Sequence, residues 1–457
     1  MKVADVVICG AGIAGISAAY HLSLKKPSLR ILLIDRGAPL SLTSDKSTEA
    51  YRNWWPGPDD AMVRLMNRSI DLLEELARSS GNEFHMNRRG YLYVTADPDR
   101  AEALIQAAEQ TAGYGAGPVR RHLGSPADPP YIPAPPTGFK GLPDGVDVFL
   151  DPGQIRQRFP YLSERTVAVL HVRRCGWFSA HRLGMGLLEQ ARSRGVMFQT
   201  AQLIGVEVRG GRIQAVRLAS PGGEERVGTG CLVNAAGPFI GEVARMIGVE
   251  LPIFYELHRK VMFRDVERVI PRDAPLIIWA DPQRLSWSDE ERELLEEMGR
   301  SDLLEMLPGG AHLRPEGGAD SDYVLMLWPY EARPVEPIFP LPEDPLFPEI
   351  VLRGLTTMIP GLAVYWGRMP RPAVDGGYYV RTPENRPLIG PLSVEGAYAI
   401  GALSGFGVMA AMAAGELLAA HVLGEDLPEY APAFTPDRYE RPDYRARLRA
   451  WGETWQL

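Results

Sequence analysis

The first 36 residues constrain this chain more than any other stretch. Val3 to Cys9 form an apolar run broken only by Asp5, Gly10, Gly12 and Gly15 follow, and helical patterning continues to about Leu24. A second run, Arg30 to Ile34, stops at Asp35. Strand, Gly-x-Gly-x-x-Gly, helix, strand and acid in that order form the dinucleotide-binding fingerprint. Gly10 permits the tight turn, Gly12 lets the backbone approach a pyrophosphate, and Gly15 lets helix and strand pack closely. Around them the backbone of Ala11, Ile13 and Ala14 opens a helix whose unpaired N–H groups carry roughly half a positive charge, which suits phosphates. Asp35, with Arg36 beside it, stands where a carboxylate accepts hydrogen bonds from ribose hydroxyls.

Composition narrows the rest. A chain of 457 residues is too long for one small core, so two domains are expected. Hydrophobic residues at 45% and charged residues at 23% are ordinary for a soluble protein. A net charge of −8 argues against nucleic acid as a partner. Three cysteines without a CxxC, and eight histidines without ligand spacing, predict neither disulfides nor a metal site. A reducing, cytoplasmic setting fits. The apolar stretch Ala397 to Leu423 is interrupted by glycines and carries Glu416 and His421, so it reads as a buried strand, turn and helix rather than a membrane span.

Further along, residues 41–58 read as a polar loop leading into a helix at 59–79, and a strand is expected near 90–95. The proline-dense stretch 118–143 is expected to be irregular and external, or a lid over a site. Runs at 203–208 and 213–218, joined by Arg209-Gly210-Gly211-Arg212, signal a hairpin. Residues 288–307 form an acidic helical insertion with a solvated face. Apolar, glycine-terminated strands recur at 231–237 and 397–407, so the nucleotide domain is assembled from distant segments with another domain inserted between them.

These motifs converge. GAGIAG with Asp35, the run Val233–Gly237, and TPENRPLIGP followed by YAIGALSGFGVMAAMAAGELLA resemble the D-amino acid oxidase-like FAD-dependent oxidoreductase superfamily, near its sarcosine oxidase, glycine oxidase and dimethylglycine dehydrogenase branch. The resemblance implies an α/β fold: a discontinuous Rossmann-like FAD-binding domain (1–85, 145–250 and 370–425) and an inserted α+β substrate domain (86–144 and 251–369) on a mixed or antiparallel sheet, then a tail at 426–457. It implies that Gly10, Gly12, Gly15 and Asp35 hold the ADP half of FAD. Ser44, Ser47, Thr48 and Arg52 would pass the pyrophosphate and ring, Val206 would contact the adenine end, and Ala235 and Gly237 would line the ribityl region. Ser404, Gly405, Phe406, Gly407 and Val408 would approach the pyrimidine end of the ring, where N–H groups at a helix start stabilise negative charge.

The resemblance also has gaps. Gly377 stands where sarcosine oxidases carry the cysteine that tethers flavin, and residues 43–52 lack the tethering histidine of dimethylglycine dehydrogenases, so FAD is expected to be non-covalent. Met326 aligns with the lysine those oxidases use toward oxygen, which favours a dehydrogenase, and Met409 aligns with their carboxylate-binding lysine.

For chemistry the resemblance implies hydride transfer to flavin N5 from the C–H beside the nitrogen of a secondary or N-methylated amine or an amino acid, with the imine then hydrolysed. It places His258, Tyr330 and Tyr379 facing the ring. His258 is the candidate to take a proton from a substrate ammonium. Tyr379 and Arg381 alternate onto one strand face and are expected to point at one ligand. Arg52, beside Tyr51, Trp54 and Trp55, is expected to fix the flavin or a substrate carboxylate. Lys260 would share the facing of His258 on a regular strand. The alternatives are a 2-hydroxy acid dehydrogenase of the same fold, or an electron-transfer flavoprotein subunit docking a partner through the basic tail with Trp451 and Trp455. That tail is otherwise expected to pack on its own FAD domain.

Overall fold

The computed structural model describes residues 3–318, 320–449 and 451. Val6–Cys9, a four-residue strand buried throughout, is central to a six-stranded sheet. Its order is Leu388–Pro391, Ala397–Gly401, Leu232–Asn234, Val6–Cys9, Ile31–Asp35 and Met197–Thr200, parallel except for the first pair. Strands from both ends and the middle of the chain thus share one sheet, as the recurring glycine-terminated runs predict. The Gln202–Arg209 and Arg212–Ser220 hairpin gains a third strand, Gly223–Gly228, which its polar sequence hides.

The helix Ile13–Lys25 packs against Gly407–Leu423, and close approach needs small residues. A Cβ on Gly415 would lie 2.3 Å from the Ser17 hydroxyl. Ser404–Leu423 is long and apolar enough, by length and composition alone, to cross a membrane, yet 72% of that window is buried in the molecule. It is the core helix of the nucleotide domain.

The second sheet has nine strands in the order Ala373–Arg381, Phe254–Arg264, Tyr323–Leu327, Ala311–Pro315, Leu276–Trp279, Tyr91–Thr95, Ala168–Val172, Val146–Phe149 and Val119–His122. It is mixed, with parallel pairing at 276/91 and 119/146. This moves the expected boundaries. The strands at 146–149 and 168–172 lie in the second sheet, not the nucleotide domain; both are buried along their length, so no alternation marks which sheet they join. Ala373–Arg381 also belongs there, paired along nine residues of Phe254–Arg264.

One face of the second sheet packs under the helix Phe347–Met358; Val261, Phe263, Val324 and Met326 point into that core. The other face turns toward the nucleotide domain. Residues 118–143 give one edge strand and an irregular run pinned by Tyr131, whose hydroxyl lies 2.9 Å from His171 Nδ1. None of them lines the cavities described below. The acidic insertion forms a helix at Asp289–Glu297 with a Ser288/Glu291 capping box and anchors itself through Leu295 and Leu303.

The tail folds back on its own chain. Arg438 and Glu384 form a fully buried ion pair at 2.7 Å, and the Tyr444 hydroxyl donates to the same carboxylate at 2.8 Å. Trp451 lies over the Arg386 guanidinium at 4.7 Å. Trp455 falls outside the described residues.

Candidate functional site

Three concavities run end to end along the seam between the sheets. The first shares Gly12, Ser44, Ala235 and Gly237 with the second, and the second shares Tyr379 and Gly405 with the third. The first two are rich in glycine, the third in aromatic side chains.

In the first cleft, Gly10 has φ of +110°, and a Cβ there would sit 2.2 Å from the Ala235 carbonyl oxygen. No other residue fits the turn. Gly12 opens into both clefts, and a Cβ on it would meet only the Ser44 hydroxyl, at 3.2 Å. Gly15 lines neither; its missing Cβ would stand 1.9 Å from the Gly10 carbonyl oxygen, so its task is helix–strand packing. Asp35 accepts hydrogen bonds from the Ala11 and Gly37 N–H groups at 2.7 and 2.8 Å and still faces the cleft with lone pairs to spare. The Ser44 hydroxyl accepts from the Ile13 N–H at 3.0 Å. Arg36 lies 3.9 Å over the Phe239 ring and lines the same cleft. Val206 does not line it; that strand contributes Gln202 and Leu203, while Val206 packs on the hydrophobic cluster beneath.

The second cleft is walled by Ile13, Ala14, Ser47 and the turn Ala402–Val408. Ala402 and Ser404 hold φ of +51° and +47°, a costly conformation for residues with a Cβ. The turn presents the start of the Gly407–Leu423 helix to the cleft. A gap running from a glycine turn and helix start past a second helix start is a fit for a dinucleotide bearing a ring system.

The third concavity brings together Thr48, Arg52, Trp55, His258, Tyr330, Tyr379, Gly405 and Phe406 from the residues singled out by sequence. Strand alternation and register explain the grouping. Glu256, His258 and Lys260 share one face, Tyr379 pairs with Glu256, and Leu327 and His312 continue the row of Lys260. His258 is buried, with Nε2 3.1 Å from Glu256 and its ring stacked on Tyr379 at 4.0 Å between centroids. Burial lowers the His258 pKa, an effect the Glu256 hydrogen bond opposes. Lys260 does share that facing, and its Nζ donates to the Asp45 carbonyl at 2.9 Å, tying down the loop under the second cleft.

Arg52 donates to the Tyr93 hydroxyl at 2.6 Å and lies 4.4 Å over the Trp55 ring, which itself meets Phe406 edge-on. Tyr330 stacks on Phe347 at the mouth. Met409 lines the cavity, so this wall is apolar.

Besides Val206, three expectations change, those for Arg381, Thr48 and Met326. Arg381 does not face the ligand space; both Glu256 oxygens hold it, at 2.7 and 2.8 Å. Trp54 packs on Tyr93 in the core behind the loop, and Tyr51 donates to the Asn87 carbonyl there. Thr48 borders the third cavity rather than the clefts. Met326 pairs with Val261 and points into the core on the far face of the sheet, so its identity carries no information about the electron acceptor.

Three residues of the site carry no motif in the sequence. Glu256 and His312 are one acid and one histidine in apolar strands, without a spacing signal; strand alternation from His258 is the one route to Glu256. His312 Nδ1 lies 2.7 Å from the Gly310 carbonyl, which can only accept, so Nδ1 carries the proton and Nε2 is left as an acceptor. Burial takes its pKa down to about 4. Tyr91 is fully buried and lines the cavity, and its hydroxyl has no hydrogen-bond partner among the described residues. No cluster of three His, Cys, Asp or Glu side chains suited to a metal occurs among the described residues.

A family model described as DAO, FAD dependent oxidoreductase, matches residues 5–421, and the chain belongs to that family. Among curated proteins, it is 25% identical over 273 residues to FAD-dependent oxidoreductase domain-containing protein 1 of Bos taurus, covering 54% of this chain and 49% of that protein. It is 24% identical over 268 residues to mitochondrial dimethylglycine dehydrogenase of Rattus norvegicus, covering 58% and 27%. The chain thus spans about half the length, or less, of these relatives. L-proline dehydrogenase from P. horikoshii shares the fold with a TM-score of 0.72 at 19% identity, over 96% of this chain and 98% of that one.

Proposed function

We propose that this member of the FAD dependent oxidoreductase family oxidises the carbon beside the nitrogen of an amine or amino acid, a secondary or N-methylated amine above all. One observation carries the reading: a buried histidine, its pKa lowered by burial, lines an aromatic cavity that opens onto the dinucleotide clefts through Tyr379 and Gly405. Gly10, Gly12, Asp35 and Arg36 would hold the ADP half of FAD. Ser44, Ala235 and Gly237 would hold its middle, and Gly405, Gly407 and Val408 its ring end. Bound there, FAD supplies the two-electron acceptor. Thr43 and Lys46 crowd Gly377, and a Cβ at that glycine would lie 3.0 Å from Thr43 Cα. With no cysteine at this position, attachment is non-covalent.

The chain's own side chains supply the rest. Arg52, oriented by Tyr93 and Trp55, offers a guanidinium to a substrate carboxylate. Trp55, Trp328, Tyr330 and Phe406 wall off water and receive the substrate's apolar part. His258 accepts a proton from the substrate ammonium, leaving a free amine whose lone pair assists loss of hydride from the neighbouring carbon.

The decisive experiment is an anaerobic absorbance spectrum of the purified protein before and after acid precipitation. Secondary amines, amino acids and 2-hydroxy acids are then added in turn. Yellow colour released to the supernatant and bleached by an amine is the expected result. Bleaching by a 2-hydroxy acid alone would replace the amine by an alcohol. Colourless protein would remove the reading altogether.

A further inference from the structure

We propose that Glu256, clamped by Arg381, is the positioning residue that makes His258 a proton acceptor through Nδ1. This rests on the reading of the cavity as an amine site. The carboxylate of Glu256 is buried and faces two groups: Arg381, at 2.7 and 2.8 Å, and His258 Nε2, at 3.1 Å. Arg381, whose Nη1 donates to both carboxylate oxygens, keeps Glu256 ionised; burial alone would raise its pKa, but the hydrogen bonds from His258 and Arg381 hold it below the usual range. An ionised carboxylate can only accept, so Nε2 must carry the ring proton and Nδ1 must hold the lone pair. Nδ1 makes no hydrogen bond among the described residues, and the ring borders the cavity. Stacking on Tyr379, on the paired strand, fixes the ring plane.

When a substrate ammonium gives up its proton, one N–H bond breaks and an Nδ1–H bond forms. The positive charge passes from substrate nitrogen to imidazole, where Glu256 stabilises it across the ring. His312 offers no such relay, because its outer nitrogen is held by a neutral carbonyl. The other charged groups are directed elsewhere or set farther round the cavity: Lys260 onto the Asp45 and Ser47 carbonyls, Arg52 onto Tyr93, with Arg259 and Glu331 on the cavity wall.

The arrangement has a signature that loosened packing does not produce. Removing the carboxylate charge lowers the affinity of His258 for its second proton, whereas removing the Arg381 cation raises it. The test is long-range ¹H–¹⁵N correlation spectroscopy of the FAD-loaded protein carrying ring-labelled histidine, with the His258 signals assigned by their loss in His258→Gln. The expected wild-type pattern is Nε2 protonated and Nδ1 bare at about pH 8, above the ordinary histidine range. Glu256→Gln should move the His258 midpoint down by about one pH unit, tenfold in acid strength, and Arg381→Met should move it up. A bare Nε2 in the wild type, or an unchanged midpoint in Glu256→Gln, would overturn the assignment. Because no substrate enters this measurement, its failure leaves the amine reading standing. Colourless protein would instead strike that reading.

Discussion

The dinucleotide clefts and the aromatic cavity touch at Tyr379 and Gly405, yet they are built in different ways. The clefts are defined by what is missing. Gly10, Gly12 and Gly15 sit on one short segment, and each clears backbone or side-chain atoms that a Cβ would block or crowd. The cavity is defined by what projects, from residues spread between Thr48 and Met409 on both sheets and the loops between them. The space those absent side chains leave is used by backbone brought from elsewhere in the chain: a Cβ on Gly10 would meet the Ala235 carbonyl oxygen, and the turn Ala402–Val408 completes the second cleft. A site made of projecting side chains can draw on any element that reaches the seam.

The sharpest way to break the first half of that contrast is Gly12→Val. The isopropyl group would stand in the space Gly12 opens into both clefts, against the Ser44 hydroxyl, which a Cβ here would already meet at 3.2 Å. The protein should fold and purify colourless; a retained flavin spectrum would show that the clefts are not the nucleotide site.

His258→Ala tests the other half. It should leave FAD bound and slow flavin reduction by an amine about 10²–10⁴-fold, the usual contribution of a positioned acid or base. Stopped-flow reduction kinetics would report it, and an unchanged rate would take His258 out of the reaction. The pH dependence has a definite sign. The base must be neutral to accept a proton, and burial lowers the His258 pKa below its ordinary 6.5. In the wild type the rate should therefore hold through neutral pH and fall only as acid drives protonation of His258.

The clefts and the cavity share a joint, and Glu384→Ala would loosen it. Glu384 sits in the turn between Ala373–Arg381 of one sheet and Leu388–Pro391 of the other, and its fully buried carboxylate serves Arg438, Tyr439 and Tyr444. Removing it strands a buried guanidinium and should cost about 3–5 kcal/mol. Chemical denaturation would measure this, and release of the tail should appear as faster proteolysis beyond Tyr430. A variant as stable as the wild type would mean the pair contributes nothing net.

The same contrast explains what the sequence discloses. The fingerprint, the return of the chain to the nucleotide sheet at 231–237 and 397–407, and the long buried helix after it are legible because local backbone rules fix them. The split of the second sheet is not. Val146–Phe149 and Ala168–Val172 are buried on both faces, so no alternation marks their membership. Alternation points Arg381 toward the ligand space because it gives only the face. That its guanidinium ends on Glu256 depends on a partner 125 positions away. Met326 misleads for the complementary reason: a slip of one residue within a strand moves a side chain to the other side of the sheet, and it is the neighbouring Leu327 that lines the cavity.

Tyr91→Phe is the finest probe of the cavity. Nothing in the sequence marks this tyrosine, but its hydroxyl is fully buried and has no hydrogen-bond partner among the described residues. Its sheet-mate Tyr93, two residues on and on the same face, engages Arg52. Buried hydroxyls are normally paired, so this one tests whether a ligand completes the bond. If it meets a substrate carboxylate beside Arg52, its loss should raise the Kd for an amino acid by roughly fivefold, near 1 kcal/mol, with FAD affinity unchanged. If the hydroxyl instead faces only packing, Phe removes an unsatisfied polar group, and the protein gains stability with no change in binding. The two outcomes move different observables, ligand titration in one case and the unfolding midpoint in the other. Tyr91 thus decides whether the inner wall of the cavity recognises substrate or merely encloses it.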